Sequence, residues 1–211
     1  MVRYGMVIDL QQCFGCGSCV MGCRDENITP PGVWWATLQV QETGKYPNAR
    51  ITNLPLLCMH CANAPCVSVC PTGASYKRSD GIVLVDQDKC IGCKYCIQAC
   101  PYGARHYIGR IDNYYPLIGP TPLEQFARSD QIDKVNPHAD HQIGTVEKCT
   151  FCEQRVANQQ DPACVKNCPF FARVFGDLDN PNSDVSKLIA EKHAVQLKPE
   201  FGTNPSVYYV W

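Results

Sequence analysis

The sequence of 211 residues predicts an α+β fold in which one structural unit is used four times. The unit consists of a strand, a cysteine loop, a short helix and a second strand. Sixteen cysteines fall into four groups of four, and strand-like segments at 5–12, 81–88 and 143–148 precede three of the groups. Three groups continue as CPTGA, CPYGA and CPFFA before another β-prone segment. Such self-similarity indicates an internally repeated architecture.

The third cysteine group, Cys90 to Cys100 with Pro101 after it, has the most specific spacing. It reads CIGCKYCIQACP, or C-x2-C-x2-C-x3-C-P. This run holds iron–sulfur clusters in bacterial ferredoxins, where the fourth cysteine ligates the neighbouring cluster. Three thiolates in one tight loop can reach three corners of one cube, whereas the fourth lies a helical turn further on. Pro101 ends the turn because it has no N–H to donate.

The other three groups vary this spacing. The first keeps it but is followed by Arg24, while the second and fourth widen the middle gap to four and eleven residues. Sixteen thiolates at four per cube predict four [4Fe–4S] clusters. The candidate ligands are Cys13, Cys16, Cys19, Cys23, Cys58, Cys61, Cys66, Cys70, Cys90, Cys93, Cys96, Cys100, Cys149, Cys152, Cys164 and Cys168.

Two other uses of clustered cysteine compete with iron–sulfur ligation. A disulfide scaffold is typical of short secreted chains, whereas this chain opens with MVRYGMVIDL, without an apolar signal region or a cleavage site. Structural zinc uses paired C-x2-C knuckles, but it does not need the C-x3-C-P half that three groups carry. Both alternatives fit the sequence less well than iron–sulfur clusters.

Composition and motifs restrict the class of protein further. Charged residues make up 18% and the formal net charge is −1, which argues against nucleic acid as a partner because phosphate binding needs clustered Lys and Arg. The uncharged segment from Ile51 to Tyr76 could span a bilayer by length. Its prolines, cysteines and His60 would leave polar groups unsatisfied in lipid, so we expect no transmembrane segment. The sequence also lacks a P-loop, a G-x-G-x-x-G and a C-x-x-C-H, and we expect no catalytic site of its own.

Several strands are predicted outside the cysteine loops. Residues 33–41 and 50–54 show β-prone composition, with a turn-rich link between them. Residues 75–78 and 82–86 flank Asp80-Gly81 and predict a β-hairpin that leads into the third group. Residues 105–109, RHYIG, predict another short strand.

The last third of the chain departs from the repeat. A polar, proline-rich insert at 110–140 contains a capping box at Thr121, which predicts a short helix to about Arg128. The insert is either a solvated excursion or a docking surface for another subunit. Ser183 is the predicted N-cap of a later helix with an apolar face. The final SVYYVW is β-prone, and it either packs on the body or is covered by a partner.

Some side chains near the cysteines could tune a cluster. Trp34 and Trp35 are interpreted as packing residues. We expect His60, inside the second group, to pack or to donate a tuning hydrogen bond and not to bind iron, because four thiolates are already present there. Cations beside the groups would raise a cluster potential, and Lys148 is the best candidate. The full set is Lys89, Lys94, Lys148, Arg155 and Lys166.

The four groups in this order, the KCTFC of the fourth and the RVFGDLDNPNSDVSKL after it closely resemble one family. It is that of the iron–sulfur electron-transfer subunits of the dimethyl-sulfoxide-reductase superfamily. The subunits of polysulfide, thiosulfate, tetrathionate and arsenate respiratory reductases are similar.

The resemblance implies how the groups are paired. The first and fourth groups would share two clusters, and the second and third the other two. This gives two interleaved two-cluster ferredoxin-like modules, one from 1–57 with 141–180 and one from 58–109, followed by the insert and a tail at 181–211. The implied ligand sets, ordered from the catalytic partner outward, are Cys13, Cys16, Cys19 and Cys168; Cys149, Cys152, Cys164 and Cys23; Cys58, Cys61, Cys66 and Cys100; and Cys90, Cys93, Cys96 and Cys70.

The resemblance also implies a partner. This would be a large catalytic subunit with a molybdenum or tungsten bis-pterin cofactor, with a membrane quinone-reacting subunit as a possible third component. The alternatives are a free-standing polyferredoxin, or the iron–sulfur subunit of a hydrogenase, formate dehydrogenase or aldehyde oxidoreductase. The chain would act either in the cytoplasm or, after export with its partner, on the outer face of the cytoplasmic membrane.

Overall fold

A computed structural model describes residues 2–111, 121, 122, 125 and 140–211. Short helices and strands are mixed along these residues, which confirms the predicted α+β class. In chain order the described elements are β1 (Tyr4–Asp9), α1 (Ser18–Asn27), β2 (Thr37–Thr43), β3 (Arg50–Leu56), α2 (Pro65–Ser68), β4 (Ser75–Lys77), β5 (Val83–Val85), α3 (Tyr95–Gln98), β6 (His106–Tyr107), β7 (Val146–Glu147), α4 (Glu153–Ala157), α5 (Ala163–Lys166), β8 (Arg173–Asp177), α6 (Asp184–Lys192), β9 (Val195–Gln196), a 3₁₀ turn (Pro199–Phe201) and β10 (Val207–Val210).

A four-stranded sheet joins the two ends of the chain. Its strand order is β8-β1-β10-β9, with β1 antiparallel to β8 and parallel to β10. In the parallel pair Met6 lies opposite Val207, and Ile8 lies opposite Tyr209. All four of these side chains are fully buried. The apolar C-terminal tail therefore packs on the body of the protein.

The two faces of β1 serve two different cores, because side chains alternate across a strand. Met6 and Ile8 belong to the larger core, which also contains buried cysteines. Val7 faces the other side and packs with Val185 of α6. Ser183 begins α6, and its Oγ accepts a hydrogen bond of 3.2 Å from the backbone N–H of Ser186, which confirms the predicted N-cap.

Three two-stranded sheets lie beside the cysteine loops: β2–β3, β4–β5 and β6–β7. The β4–β5 pair, with Ser75 opposite Val85, is the hairpin predicted around Asp80-Gly81. In the β6–β7 pair, His106 lies opposite Glu147, so the strands on either side of the insert are joined. The predicted short strands near 105–109 and 143–148 are therefore confirmed, although each contains two residues.

Some predicted boundaries were wrong. The first strand ends at Asp9 and not near Gln12, because Asp9 Oδ1 accepts a hydrogen bond of 2.9 Å from the Gln11 N–H and turns the chain. The strand expected over 33–41 begins only at Thr37, and it continues to Thr43. Of the helix predicted from Thr121, only Pro122 and Gln125 are described as helical, and the remainder lies outside the described residues. Within the described part of the chain, no helix is long and apolar enough to cross a membrane.

Candidate metal centres

None of the sixteen cysteines forms a disulfide, so the disulfide alternative is wrong. Most are buried or half-buried, and only Cys16 and Cys93 are exposed. A buried free thiol is common, but sixteen of them in four loops require another explanation. The four sets implied by the resemblance are called sets I to IV below. Set I is Cys13, Cys16, Cys19 and Cys168; set II is Cys23, Cys149, Cys152 and Cys164; set III is Cys58, Cys61, Cys66 and Cys100; set IV is Cys70, Cys90, Cys93 and Cys96.

Set I surrounds a recess at the protein surface. The recess is lined by all four of its cysteines, together with apolar residues that include Phe14 and Phe170. Burial raises the pKa of the Cys13 thiol, a hydrogen bond from the Gly15 N–H opposes this, and the charges of Cys19 and Cys168 raise the pKa further. Thiols from the first and the fourth loop are therefore neighbours here.

Set II lies in the interior. Burial raises the pKa of the Cys23 thiol well above its ordinary value, and the charges of Cys149, Cys152 and Cys164 add to this effect. The Cys149 Sγ accepts a hydrogen bond of 3.4 Å from the Phe151 N–H. The structure thus brings the last cysteine of the first loop to the first three cysteines of the fourth loop.

Sets III and IV repeat this exchange between the second and third loops. Burial raises the pKa of Cys61 to about 12, with further contributions from the charges of Cys58, Cys66 and Cys100. Burial also raises the pKa of Cys96, Arg105 opposes this, and the charges of Cys90 and Cys70 raise the pKa again. The four cysteines of set IV line a second surface recess, which also contains Ile91.

The sets follow one another in a row. Cys164 of set II interacts electrostatically with Cys19 of set I. Cys149 of set II interacts in the same way with Cys58 of set III. Arg105 lies between sets III and IV, because its charge interacts with Cys66, Cys58 and Cys96.

The chemistry of these sets fits iron–sulfur cubes. Thiolates are the ligands that iron–sulfur clusters take, and each thiol releases its proton when iron binds. Among the described residues, no group of three or more His, Cys, Asp or Glu side chains converges closely enough to hold a single metal ion.

Local backbone geometry places the loop cysteines. In the third loop, Gly92 has φ +65° and Lys94 has φ +64°, a left-handed conformation that glycine adopts without steric cost. A Cβ at Gly92 would overlap the carbonyl oxygen of Gly144, which lies just before β7. The third loop can therefore approach residue 144 only with glycine at position 92.

Four Lys or Arg side chains are buried: Arg24, Arg105, Lys148 and Arg173. The charges of Arg105, Lys148 and Arg173 act on cysteines of the sets, whereas the Arg24 guanidinium lies over the Trp34 ring. Lys148, which the sequence offers as the best candidate for tuning a cluster potential, is buried. Arg105 and Arg173 were not predicted, because neither stands beside a cysteine in the sequence. A signal was present, since both arginines follow directly after the repeated CPYGA and CPFFA segments. Ser75 holds the equivalent place after CPTGA, and its Oγ accepts a hydrogen bond of 2.8 Å from Arg105 Nη1.

The remaining cations from the sequence lie at or near the surface. Lys89 pairs with Asp86 at 2.6 Å, and Arg155 pairs with Glu26 at 3.0 Å. The Lys94 ammonium lies 3.8 Å from the centre of the Tyr107 ring. Lys166 is exposed, although it follows Cys164 by two residues.

His60 and Trp35 pack in the interior, whereas Trp34 packs at the surface. His60 is fully buried, its ring stacks on Phe151 at 3.7 Å, and its Nδ1 accepts a hydrogen bond of 3.1 Å from the Val83 N–H. Burial, followed by the charges of Lys148 and Arg105, lowers the pKa of His60 well below its ordinary value. Trp35 is buried in the larger core. Trp34 is at the surface, where the Arg24 guanidinium lies 4.1 Å from its ring centre.

Comparison with known proteins shows the family to which the chain belongs. Three family models, each described as a 4Fe-4S dicluster domain, match residues 12–74, 49–110 and 82–169. The arsenate respiratory reductase iron–sulfur subunit of Shewanella sp. is 43% identical over 99% of this chain and 96% of its own length. The chain belongs to the family of iron–sulfur electron-transfer subunits of the dimethyl-sulfoxide-reductase superfamily.

Other members of the family are also similar over the full chain. A Halobacterium salinarum protein, provisionally named as a dimethyl sulfoxide reductase iron–sulfur subunit, is 44% identical over 100% of this chain and 79% of its own length. A selenate reductase subunit of Mesobacillus selenatarsenatis is 40% identical over 99% of this chain and 72% of its own length. As a member of this family, the iron–sulfur protein described here carries four [4Fe–4S] clusters.

Proposed function

We propose that this iron–sulfur protein passes single electrons through its four clusters to or from a catalytic subunit with a molybdenum or tungsten bis-pterin cofactor. The observation that carries the proposal is the row of four cysteine sets. Set II interacts electrostatically with sets I and III, and the charge of Arg105 interacts with both set III and set IV. The names of its relatives, which include arsenate, selenate and polysulfide reductase subunits, favour a respiratory-type oxidoreductase as the complete complex.

We propose that sets I to IV each hold one cluster. Four thiols are neighbours in sets II and III, and two surface recesses are lined by sets I and IV. When bound, a cluster supplies a centre that accepts and returns one electron. The residues of the chain bury these centres and direct N–H groups at sulfur, such as the Ser75 N–H, which donates to Cys70 Sγ at 3.4 Å.

The proposed sets make the chain two interleaved modules, one from 1–57 with 141–180 and one from 58–109. The antiparallel pairing of β1 with β8 supports the first module, since it joins residues from both of its parts. His141 supports it as well, because its Nε2 lies 3.0 Å from the carbonyl oxygens of Asn27 and Ile28 at the end of α1. The hairpin β4–β5 lies within the second module.

The ends of the row are proposed to face different partners. At set I, the rings of Phe14 and Phe170 pack at 4.5 Å and are exposed, which suits burial against the catalytic subunit. At set IV, Ile91 and Tyr95 are exposed beside Cys93, which suits a second partner. For that second partner we propose a membrane subunit that reacts with quinone.

Anaerobic purification from the native source tests the proposed complex. We expect the chain to copurify with a large subunit that contains molybdenum or tungsten, and to carry about sixteen irons, four for each cubane cluster. A chain that purifies alone with full iron would instead be a free-standing polyferredoxin. An iron-poor chain would overturn the electron-transfer function itself.

Paired serine substitutions test the ligand sets. Cys23→Ser and Cys152→Ser should perturb the same one-electron step in a potentiometric titration followed by electron paramagnetic resonance, because both belong to set II. Cys16→Ser should perturb a different step, although it lies in the same loop as Cys23. If Cys23→Ser and Cys16→Ser perturb one common step, the proposed exchange between loops is wrong.

A further inference from the structure

We propose that Arg173, Lys148 and Arg105 are potential-setting residues, each of which raises the reduction potentials of the two clusters between which it is buried. The inference rests on the proposed function, since it requires clusters in sets I to IV. The three cations are 4%, 2% and 4% exposed, respectively.

Arg173 lies between sets I and II. It is the first residue of β8 and pairs with Ile8 of β1, which directs it into the cysteine core. Its charge interacts with Cys164 and Cys23 of set II and with Cys19 of set I. One of its nitrogens, Nη1, lies 3.7 Å from Sδ of Met6, and, against the effect of burial, the arginine also lowers the pKa of the Cys164 thiol by its charge and a side-chain hydrogen bond.

Lys148 lies between sets II and III. It directly precedes Cys149 of set II, and its Nζ donates to the Cys149 carbonyl oxygen at 2.8 Å. The same Nζ donates to the carbonyl oxygen of Val83 in β5. The charge of Lys148 also acts on Cys66 of set III. Two backbone carbonyls therefore hold the ammonium group at this junction.

Arg105 lies between sets III and IV. Its Nη2 donates to Sγ of Cys66 in set III at 3.0 Å, while Nη1 donates to Ser75 Oγ at 2.8 Å. Its charge also interacts with Cys96 of set IV. The Ser75 N–H in turn donates to Cys70 Sγ of set IV, so the same small network reaches both sets.

None of the three cations forms a salt bridge with an Asp or a Glu in the described part of the chain. An uncompensated buried charge is strongly destabilising, so a compensating anion is required at each junction. Thiolate-ligated clusters supply it. Each cluster becomes more negative by one charge on reduction, and a fixed cation in a poorly solvated site therefore stabilises the reduced form more than the oxidised form.

The arrangement predicts a pattern that a purely structural role would not produce. Each cation adjoins two of the four clusters, and Arg105 and Arg173 share none. Removing Arg105 should therefore lower the reduction potentials of two of the four one-electron steps. Removing Arg173 should lower the reduction potentials of the other two. Removing Lys148 should lower the reduction potential of one step that depends on Arg105 and of one step that depends on Arg173.

The test is a potentiometric titration, followed by electron paramagnetic resonance, of the intact, anaerobically isolated protein in three variants: Arg105→Gln, Lys148→Gln and Arg173→Gln. We expect the equilibrium constant for reduction to fall at least tenfold at each affected step, which corresponds to about 59 mV for one electron. Arg105→Lys and Arg173→Lys should restore most of the wild-type potentials, since they keep the charge. Lys166→Gln, which removes an exposed cation near Cys164, should leave all four steps in place.

Iron analysis separates failure of this inference from failure of the proposed function. A wild-type protein without four one-electron steps contradicts the four-cluster function. Full iron in a Gln variant with unchanged potentials, or with equal shifts in all four steps, overturns the inference alone. If one Gln variant loses iron, the other two still test the inference. For any two variants, the inference predicts how many one-electron steps have a lowered reduction potential in both.

Discussion

The hydroxyl of the fully buried Tyr209 donates a hydrogen bond of 2.9 Å to the carbonyl oxygen of Pro55. Tyr209 lies in β10, next to the C-terminus, and Pro55 lies in β3, just before the second cysteine loop. Because β10 also pairs with β1, this contact joins the tail to strands on both sides of the first loop. The tail is thus part of the scaffold that holds the clusters.

Tyr209→Phe is expected to destabilise the protein by about 1–3 kcal/mol, because it leaves the buried Pro55 carbonyl without its partner. For a chain of this size, the apparent Tm should fall by about 2–4 °C per kcal/mol. Anaerobic thermal scans of the iron-loaded protein measure the change. Tyr46→Phe is the control, since Tyr46 is 95% exposed. Equal Tm values for both variants would show that the Tyr209 bond has no net effect.

The sequence predicted features that depend on neighbouring residues. The cysteine loops, the β4–β5 hairpin around Asp80-Gly81 and the Ser183 cap are all encoded over a few positions. The parallel pairing of β1 with β10 was not predicted, because it joins residues about two hundred positions apart. Local patterns contain no information on such a partner.

Burial of the cations shows the same limit. Lys89 and Lys148 each stand immediately before the first cysteine of a loop, yet Lys89 is exposed and pairs with Asp86, while Lys148 is buried. The difference comes from β5, whose Val83 carbonyl accepts from Lys148. The position of a lysine relative to a cysteine therefore does not predict its burial. The burial of Arg105 and Arg173 could have been predicted, because both directly follow the repeated CPYGA and CPFFA segments.

The His141–Glu147 pair should make stability depend on pH. Burial lowers the pKa of His141, but hydrogen bonds and the charge of Glu147, together with the Asn27 and Ile28 carbonyls, outweigh burial and raise it overall. His141 Nδ1 donates to Glu147 Oε2 at 2.8 Å. Other titratable groups nearby include His106, whose pKa is lowered by burial against an opposing effect of Glu147.

Because the folded pKa of His141 is raised, its stabilising effect is fully present below the unfolded value of about 6.5 and is lost as pH rises through the folded value. His141→Gln should remove this pH-dependent part of the apparent Tm and destabilise the protein most at low pH. His193→Gln is the matched control, because His193 is exposed. An unchanged pH profile of Tm in His141→Gln would contradict the assignment.

Ser183→Ala should destabilise α6 by about 1 kcal/mol, because the N–H of Ser186 loses its capping oxygen. The helix packs on Val7 in the smaller core, on the face of β1 away from Met6 and Ile8. We therefore expect a lower apparent Tm with unchanged iron content and unchanged potentials. Lys187→Ala, an exposed change in the same helix, is the control. Loss of iron in Ser183→Ala would show that α6 supports the clusters directly.

Gly92→Ala should release the set IV cluster, whereas Gly103→Ala should not. Both glycines have positive φ, +65° and +62°, so both substitutions carry the same backbone strain of about 1–2 kcal/mol. Only at Gly92 would the new Cβ overlap a backbone atom, the Gly144 carbonyl oxygen, while nothing lies within 4 Å at Gly103. The third loop would then have to move away from residue 144, taking Cys90 and Cys93 with it.

Iron analysis of the two variants separates strain from overlap. We expect Gly92→Ala to lose about four of about sixteen irons, the content of one cubane cluster, and Gly103→Ala to keep the full number. Electron paramagnetic resonance should show one fewer one-electron step in Gly92→Ala. Equal iron in both variants would mean that the loop tolerates the added methyl group, and that the close approach to Gly144 does not hold the third loop in place.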